Sequence, residues 1–249
     1  MVMGNVILAR TRSMSLCIFI GFLFHWLSFL VCNYLRSLEA LTAHINYPQL
    51  PALACRFLFD QTNKNPEITS DDVDLDDCPM IEGKISVFHS AVTSFFAPSD
   101  ECGLHGMCQE RIQSCPLWWG KAPCHDCAFV VKDEDKPGMH GINVTHVQLF
   151  FSFIHNRQEY PCALIDWFST MGRSHDTETG MLKVRPDIQH GQHLSSVIHL
   201  DSFLHRVHLL PIFGQKFLPI NFDYTNSLDA FAGYYVNHFA DHHSHEIIF

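Results

Sequence analysis

The second half of the chain alternates short apolar segments with turn residues, and this pattern constrains the fold more than any other feature. Segments rich in Val, Ile, Leu and Phe are separated by turn sequences such as Asp135–Gly138 and His155–Gln158. β-branched and aromatic residues favour strands, whereas Pro, Gly and Asn favour turns. Many short strands in series predict a small antiparallel β-barrel or a curved sheet. The predicted strands are Ala128–Val131, Val147–Phe153, Tyr160–Phe168, Met181–Arg185, Ser196–Leu200 and His208–Ile212.

Helices are predicted on both sides of this β-rich region. Pro48–Gln61 has the apolar spacing of a helix, and Pro51 suits its first turn. Ile85–Phe96 also repeats apolar residues at helical spacing. Near the C-terminus, Ser227 suits the N-cap of a helix that runs to about Asp241. The predicted class is therefore α+β, with N-terminal helices, a small antiparallel barrel or curved sheet in the middle, and a C-terminal helix.

The composition changes along the chain and divides it into three regions. Residues 1–37 form an apolar N-terminal segment, and residues 38–100 form a helical region that contains an acidic loop at Asn63–Asp77. Residues 101–249 form a β-rich domain closed by the C-terminal helix. This last region begins with a predicted loop, rich in Cys, Trp and Gly, that extends to about Pro123.

The N-terminal region contains a candidate transmembrane helix at Met14–Leu35, a run without Asp, Glu, Lys or Arg. About 20 apolar residues are enough to span a bilayer as a helix. Arg10 and Arg12 precede the run, which favours a signal anchor with a cytoplasmic N-terminus. The alternatives are a buried helix and a wrongly predicted first exon. A genuine anchor predicts a membrane location, and otherwise the protein is expected in the nucleus or cytoplasm.

The charge and the cysteine content restrict the possible functions. The formal net charge is −10, which opposes non-specific binding to nucleic acid, because phosphate contacts need Lys and Arg. The 10 Cys residues permit a disulfide framework, but an apolar content of 47% makes such staples unnecessary. Free, buried or partly metal-bound thiols are therefore expected.

A set of carboxylates could in principle hold the two metal ions of a nuclease. Asp166 and Asp201 end two predicted strands, and Glu246 follows near the C-terminus. A ribonuclease-H-like core needs several strands and a helix between its first two Asp residues, and Asp166 and Asp201 are too close in sequence for that. We therefore predict that these are strand-end residues at a sheet rim and that none is catalytic.

Two groups of residues could bind a transition metal. In the cysteine-rich loop, Cys124–Cys127 has the CxxC spacing of a zinc site, but no second CxxC accompanies it. On the predicted C-terminal helix, His238 and His242 are four residues apart, and a stable site would need a further ligand such as Asp241 or Glu246. We predict no tightly held metal. The other candidate ligands are Cys102, His105, Cys108, Cys115 and His125.

The sequence also lacks the usual signatures of enzymes. It contains no nucleophile elbow, Walker loop or Gly-rich dinucleotide fingerprint. The prediction is therefore a non-enzymatic chain with no catalytic residues, no cofactor, no bound metal and no small-molecule substrate.

Several sequence blocks follow one another in order along residues 38–249: Arg56–Gln61, Gly83–Val92, Ala97–Asp100, Tyr160–Phe168, Asp176–Met181, Ser196–Asp201, His208–Gly214, Ser227–Phe231 and Tyr235–Glu246. These blocks resemble the C-terminal region of Plavaka-type elements, which are fungal transposases of the Kyakuja–Dileera–Zisupton superfamily. The resemblance implies a role in transposition, with contacts to DNA or to a transposition-related protein. The catalytic domain of that family lies upstream of this region, so none of its catalytic residues can be carried over.

The expected function is that of a non-catalytic remnant or accessory C-terminal region of a transposon-derived protein, with a DNA- or protein-binding role. Residues 1–35 do not share the resemblance, which suggests a truncated or decayed element or an imperfect gene model. The alternative is a single-pass membrane protein of unknown function.

Overall fold

The computed structural model describes residues 37–248, except positions 66, 97–106, 119–121, 134, 137, 173, 216 and 219. The candidate anchor at Met14–Leu35 lies outside these residues. Within the described part of the chain, no helix is both long enough and apolar enough to cross a membrane.

Two short helices open the described chain. Helix α1 is Leu38–Ile45, and the side chain of its N-cap, Ser37, accepts a hydrogen bond from the backbone N–H of Ala40 at 3.2 Å. Helix α2 is Leu50–Thr62, with a proline in its first turn. This confirms the helix predicted over Pro48–Gln61. Pro is tolerated in the first turn because the N–H groups there have no partner within the helix.

Antiparallel strands make up most of the remaining structure, so the fold is α+β, as predicted. Between them lie 3₁₀ turns at Leu75–Asp77, Gly138–His140, Leu200–Ser202 and Tyr224–Asn226, and helix α3 (His242–Ile248) ends the described chain. The strands are β1 (Ile85–Phe88), β2 (Ser90–Phe96), β3 (Met107–Trp118), β4 (Ala122–His125), β5 (Cys127–Val131), β6 (Ile142–His155), β7 (Gln158–Thr170), β8 (Leu182–Pro186), β9 (Ile188–Gln189), β10 (Gln192–His193), β11 (Ser195–His199), β12 (Phe203–Val207), β13 (Leu209–Pro211) and β14 (Tyr234–Val236).

The long β6–β7 hairpin is the centre of the fold. Its turn residues, Asn156 and Arg157, have positive φ angles of 51° and 64°, which define the type I′ turn that suits a two-residue hairpin. This confirms the turn predicted at His155–Gln158. The main sheet has the order β12-β5-β6-β7-β8-β14-β13, with β1 added to β6 and β11 added to β7. The sheet curves into a nearly closed barrel, and β2, β3 and β4 form a smaller sheet beside it.

The helices and the small sheet cover different parts of the barrel. Leu41, Leu50 and Leu58 are fully buried in one apolar cluster with Phe151 and Phe153 of β6. A second cluster joins Ala91 of β2 and Ile112 of β3 to the other face of the hairpin, and a third lies under β14 and α3. Burial on both faces explains why β6 and β7 are almost continuously apolar.

The helix predicted over Ile85–Phe96 is wrong, because this segment forms β1 and β2. Val92, Thr93 and Phe95 are all buried, so β2 is covered on both faces and its apolar residues do not alternate. Its hydrogen-bond partners come from β3, and those of β1 come from the distant β6. Tertiary pairing thus decides the structure of a segment whose apolar spacing also fits a helix.

The loop predicted up to Pro123 is also wrong over most of its described residues, because it contains β3 and β4. β3 pairs with β2 on one side and with β4 on the other. Polar residues such as Gln109 and Arg111 face solvent in β3, which hides the strand pattern in the sequence.

The helix predicted from Ser227 to Asp241 is wrong as well. This stretch contains a series of turns and β14, and helix α3 begins only at His242. β14 is required in the sheet between β8 and β13, where Tyr234 and Val236 are buried. A Cβ added at Gly233 would lie 2.7 Å from Met171 Sδ, so a larger residue at the entry to β14 would have to displace the Met171 side chain.

Candidate functional site

An open cleft of about 540 Å³ lies beside the end of β8. The β9–β10 hairpin forms one wall, and its turn residues, His190 and Gly191, have positive φ angles of 52° and 79°. Both values fit a type I′ turn, which keeps this short hairpin tight. The turn segment before β14 forms the opposite wall. The residues that carry the chemistry of the cleft are Arg185, Asp187, Ile188, His193, Asp229 and Phe231.

The charged groups of the cleft are held in different ways. His193 Nε2 lies 3.0 Å from Asp229 Oδ1, so this contact joins the two walls. Asp187 Oδ2 accepts a hydrogen bond from Ser169 Oγ at 2.9 Å. Arg185 is exposed and forms no ion pair with any residue in the described ranges. The cleft therefore offers two carboxylates that already have partners and one guanidinium that remains available.

A row of exposed apolar side chains follows β13. Phe217 and Ile220 are fully exposed, and Phe213 is 71% exposed. Exposed apolar side chains are common singly, but four within eight residues of the chain are more typical of an interaction surface than of an ordinary loop. We call this group the apolar strip. It consists of Phe213, Phe217, Leu218 and Ile220.

Phe231 joins the apolar strip to the cleft. Its ring lies 5.2 Å from that of Phe213 and 5.9 Å from that of Phe222, both in edge-to-face contact. On its other side, the ring is 6.2 Å from the buried Tyr234. Phe231 therefore connects the wall of the cleft to Phe213, the first residue of the strip.

Neither the cleft nor the apolar strip was predicted from the sequence. A signal was present, since residues 211–222 place three Phe, two Ile and a Leu among Gly and Pro residues. Such a stretch fits neither a solvated loop nor a regular buried element. The sequence does not predict that the β9–β10 hairpin lines the cleft, because this depends on how β8 and the turn before β14 are arranged in space.

Asp166, the first residue of the carboxylate set, lies in β7 and is only 5% exposed. Its Oδ1 accepts hydrogen bonds from Ser195 Oγ at 2.5 Å and from the Tyr47 hydroxyl at 3.2 Å. Its Oδ2 accepts one from Gln148 Nε2 at 2.6 Å. The Tyr47 and Ser195 hydroxyls also contact each other. The carboxylate is thus surrounded by neutral donors and ties the segment between α1 and α2 to β7 and β11.

Burial has a clear effect on Tyr47 itself. Desolvation raises its pKa to about 12, and the negative charge of Asp166 acts in the same direction, while the hydrogen bond with Ser195 opposes them. The phenol therefore stays protonated at neutral pH and remains able to donate. Ser195 is also buried and contacts a carboxylate instead of an imidazole, so it does not have the neighbours of an activated nucleophile.

The other two members of the carboxylate set are not brought to Asp166. Ser195 is the residue opposite Asp166 in the β7–β11 pairing, and Asp201 lies beyond the far end of β11. Asp201 is exposed, and its Oδ2 lies 3.2 Å from His199 Nδ1. Glu246 belongs to helix α3, and its side chain is outside the described part of the structure.

Two histidines extend the buried polar chain on the side of Gln148. His146 Nδ1 lies 3.0 Å from Gln148 Nε2, and His125 Nδ1 donates to the carbonyl oxygen of Val147 at 3.0 Å. Burial, together with the neighbouring His125, lowers the pKa of His146 to about 4. Burial also lowers the pKa of His125. Both imidazoles are therefore neutral at pH 7, and no spacing pattern in the sequence predicts that their rings lie together.

The candidate zinc ligands are distributed over different parts of the fold. Cys127 is buried in β5, where desolvation raises its pKa, and Cys124 lies in β4. Cys115 of β3 is directly opposite Cys124. Cys102 and His105 lie outside the described residues. Across the residues that the structure describes, no group of three or more His, Cys, Asp or Glu residues is arranged to hold a metal ion.

The histidines near the C-terminus do not share one helical face, because the predicted helix is absent. His238 is 2% exposed and lies in a turn, whereas His242 is the first residue of α3. The ring of His238 lies 5.4 Å from that of His245. Burial lowers the pKa of His238, and the nearby His245 adds to this effect.

Comparison with known proteins gives no match for this chain among protein-family models, curated proteins or solved structures. The properties of the cleft and the apolar strip therefore have to be judged from their own chemistry.

Proposed function

We propose that this chain is a non-catalytic accessory region of a transposon-derived protein and that it acts by binding a protein partner. The transposon origin rests on the resemblance of residues 38–249 to Plavaka-type transposases. The binding role rests on one observation, the exposed apolar strip, whose first residue, Phe213, contacts Phe231 at the wall of the cleft.

The apolar strip supports a protein partner for energetic reasons. Full burial of a Phe or Ile side chain contributes roughly 1.5–3 kcal/mol relative to leaving it in water. Phe217 and Ile220 are fully exposed, so nearly all of this free energy is available to a partner that covers them. A partner that fits presents apolar side chains to the strip and a carboxylate or carbonyl oxygen to Arg185.

The charge of the chain favours protein over DNA. The formal net charge is −10, and the cleft contains Asp187 and Asp229 beside Arg185. Phosphates would be repelled by this surface, since DNA affinity depends on the number of Lys and Arg residues that neutralise them. The buried Asp166 supports a non-catalytic role, because its oxygens already accept hydrogen bonds from three neutral side chains.

The direct test is a binding experiment with the catalytic region of a Plavaka-type transposase. The purified full chain is titrated against that region, and the double substitution Phe217→Ser and Ile220→Ser is compared with wild type. The matched control is Ile154→Ser, which removes an exposed apolar side chain at the end of β6, away from the strip. A 32-base-pair DNA duplex of mixed sequence, at about 150 mM salt, is titrated in parallel.

We expect the strip variant to lose at least about tenfold in affinity, which corresponds to about 1.4 kcal/mol, and the control to stay within about twofold. Equal binding by the strip variant would contradict the assigned surface. Tight binding of the duplex without binding of the protein would contradict a protein-binding role and favour the DNA-binding one.

A further inference from the structure

Cys115 and Cys124 are opposite each other in neighbouring antiparallel strands. The pairing of β3 with β4 sets Ser114 against His125 and Cys115 against Cys124. Opposite residues of an antiparallel pair have Cα atoms about 4.5–5.5 Å apart. A disulfide requires Cα atoms about 4.4–6.8 Å apart, so the backbone spacing needs no rearrangement for a bond.

The two thiols also lie on the same face of the hairpin. Ser114 Oγ and His125 Nδ1 are 3.1 Å apart, which places this neighbouring pair together on one face. Because side chains alternate along a strand, Cys115 and Cys124 occupy the other face. An independent contact agrees, since Cys124 Sγ lies 3.5 Å from Oε1 of Gln113, which is on the same face of β3 as Cys115.

We propose that Cys115 and Cys124 form a reversible redox site that closes to an intramolecular disulfide with a small-molecule disulfide as the oxidant. Cys124 is partly exposed and Cys115 is buried, so Cys124 reacts first. Its thiolate attacks the oxidant, forms a mixed disulfide and releases one small thiol. The Cys115 thiolate then attacks Cys124 Sγ and releases the second small thiol. Two protons and two electrons pass to the oxidant, which is reduced to two thiols.

The surroundings of the pair determine when this reaction is fast. Burial raises the pKa of both thiols, and for Cys115 the neighbouring Cys124 adds to the effect. The thiolate is the reacting species, so the fraction that can react at neutral pH is small and rises about tenfold with each pH unit. The pair thus remains reduced in a reducing compartment and closes when it is exposed to oxidant for long enough.

The bond would act on the covering sheet of the barrel. β3 lies between β2 and β4, and Ile112 of β3 is buried against the barrel in the same core cluster as Phe150. A cross-link between Cys115 and Cys124 joins β3 to β4 covalently just after the residues that make this contact. Oxidation would therefore hold β3 and β4 together as one unit beside the core.

The test maps disulfides in the full chain, purified in mild detergent and treated with oxidised glutathione at pH 8. Free thiols are alkylated, the protein is digested, and the peptides are identified by mass spectrometry. Peptide mapping is needed because Cys78 lies close enough to Cys55 to raise its pKa, and this second pair would give the same change in total mass. The variants are Cys115→Ser and Cys124→Ser, and the matched control is Cys108→Ser in the same strand.

We expect the Cys115–Cys124 linked peptide to be the main product that involves either residue, to form about tenfold faster at pH 8 than at pH 7, and to disappear on reduction. It should persist in Cys108→Ser, while Cys115→Ser should stop at glutathione attached to Cys124. The proposal is overturned if wild type retains that mixed disulfide, links Cys124 to Cys127, joins two chains instead, or leaves both thiols free.

Discussion

Replacement of Asp166 by Asn separates a structural role of this residue from a catalytic one. The carboxylate uses both oxygens, since Oδ1 accepts from Ser195 and Tyr47 and Oδ2 accepts from Gln148. An Asn side chain is neutral and has a single acceptor oxygen. With this oxygen towards Gln148, the NH₂ group can donate to the Ser195 and Tyr47 hydroxyls, and Ser195 Oγ can donate to the carbonyl oxygen of His193, 3.2 Å away. The hydrogen bonds of the carboxylate are then replaced by weaker neutral ones.

The expected loss follows from the hydrogen bonds involved. A hydrogen bond to a charged group contributes about 1.5–3 kcal/mol, whereas one between neutral groups contributes about 0.5–1.5 kcal/mol. Because Asp166→Asn weakens the bonds with Ser195, Tyr47 and Gln148 in this way, it should lower the free energy of unfolding by about 3 kcal/mol. Tyr47→Phe removes one donor and leaves the carboxylate satisfied by Ser195 and Gln148, so it should cost only about 1 kcal/mol. Asp201→Asn, at an exposed residue, should stay within about 0.5 kcal/mol.

The assay is urea unfolding followed by tryptophan fluorescence, with the slope of the transition compared between variants. The same proteins are incubated with DNA and Mg²⁺ to measure strand cleavage, which we expect in none of them. If Asp166→Asn is as stable as wild type, the hydrogen bonds to Asp166 do not stabilise the fold, and the prediction is wrong. If wild type cleaves DNA and either Asp166→Asn or Asp201→Asn abolishes cleavage, the carboxylate set is catalytic after all.

Three further predictions concern other parts of the chain. If Met14–Leu35 is a membrane anchor, the full chain should resist alkaline carbonate extraction, and a chain that starts at Ser37 should be soluble and keep its fold; failure of the shortened chain to fold would identify the segment as a core helix. The folded pKa of His146 is about 4, below its ordinary 6.5, so its contribution to stability is complete above pH 6.5 and is lost as the pH falls towards 4. His146→Gln should flatten the pH dependence of the urea midpoint across this range, and an unchanged profile would contradict the assignment. Purified untagged protein should contain well below one zinc per chain by elemental analysis, and a stoichiometric ion lost on His238→Ala and on His242→Ala would show that His238–Glu246 forms a metal site.

The strands of the barrel could be predicted because their sequences leave few alternatives. In β6 and β7, runs of Phe, Leu and Ile are bounded by turn residues, and Asn156 favours the positive φ that a type I′ turn requires. The sequence of β2 is different, because it is buried on both faces and its apolar residues fit a helical spacing equally well. Its structure depends on β3, whose solvent-facing polar residues conceal it in the sequence.

In the C-terminal region, too, strand pairing overrides an apolar spacing that fits a helix. Leu228, Phe231 and Tyr235 are spaced as on one helical face, but Phe231 packs in the turns beside the cleft, and Tyr235 lies in β14. The pairing of β14 with β8 and β13 outweighs the local helical preference. For the candidate site, the partners of Asp166 come from three separate segments, which no spacing pattern within one segment could indicate.

The position of Tyr47 has a consequence for the order of folding. Its hydroxyl binds Asp166, which is 119 residues away in sequence, and Ser195, which is 148 residues away. These two residues face each other only after β7 and β11 have paired. The segment between α1 and α2 can therefore dock fully only late in folding, since the closure of long loops is entropically costly before the contacts that reward it exist. For the same reason α1 should detach first under native conditions, and its amide protons should exchange with solvent sooner than those of the β6–β7 hairpin.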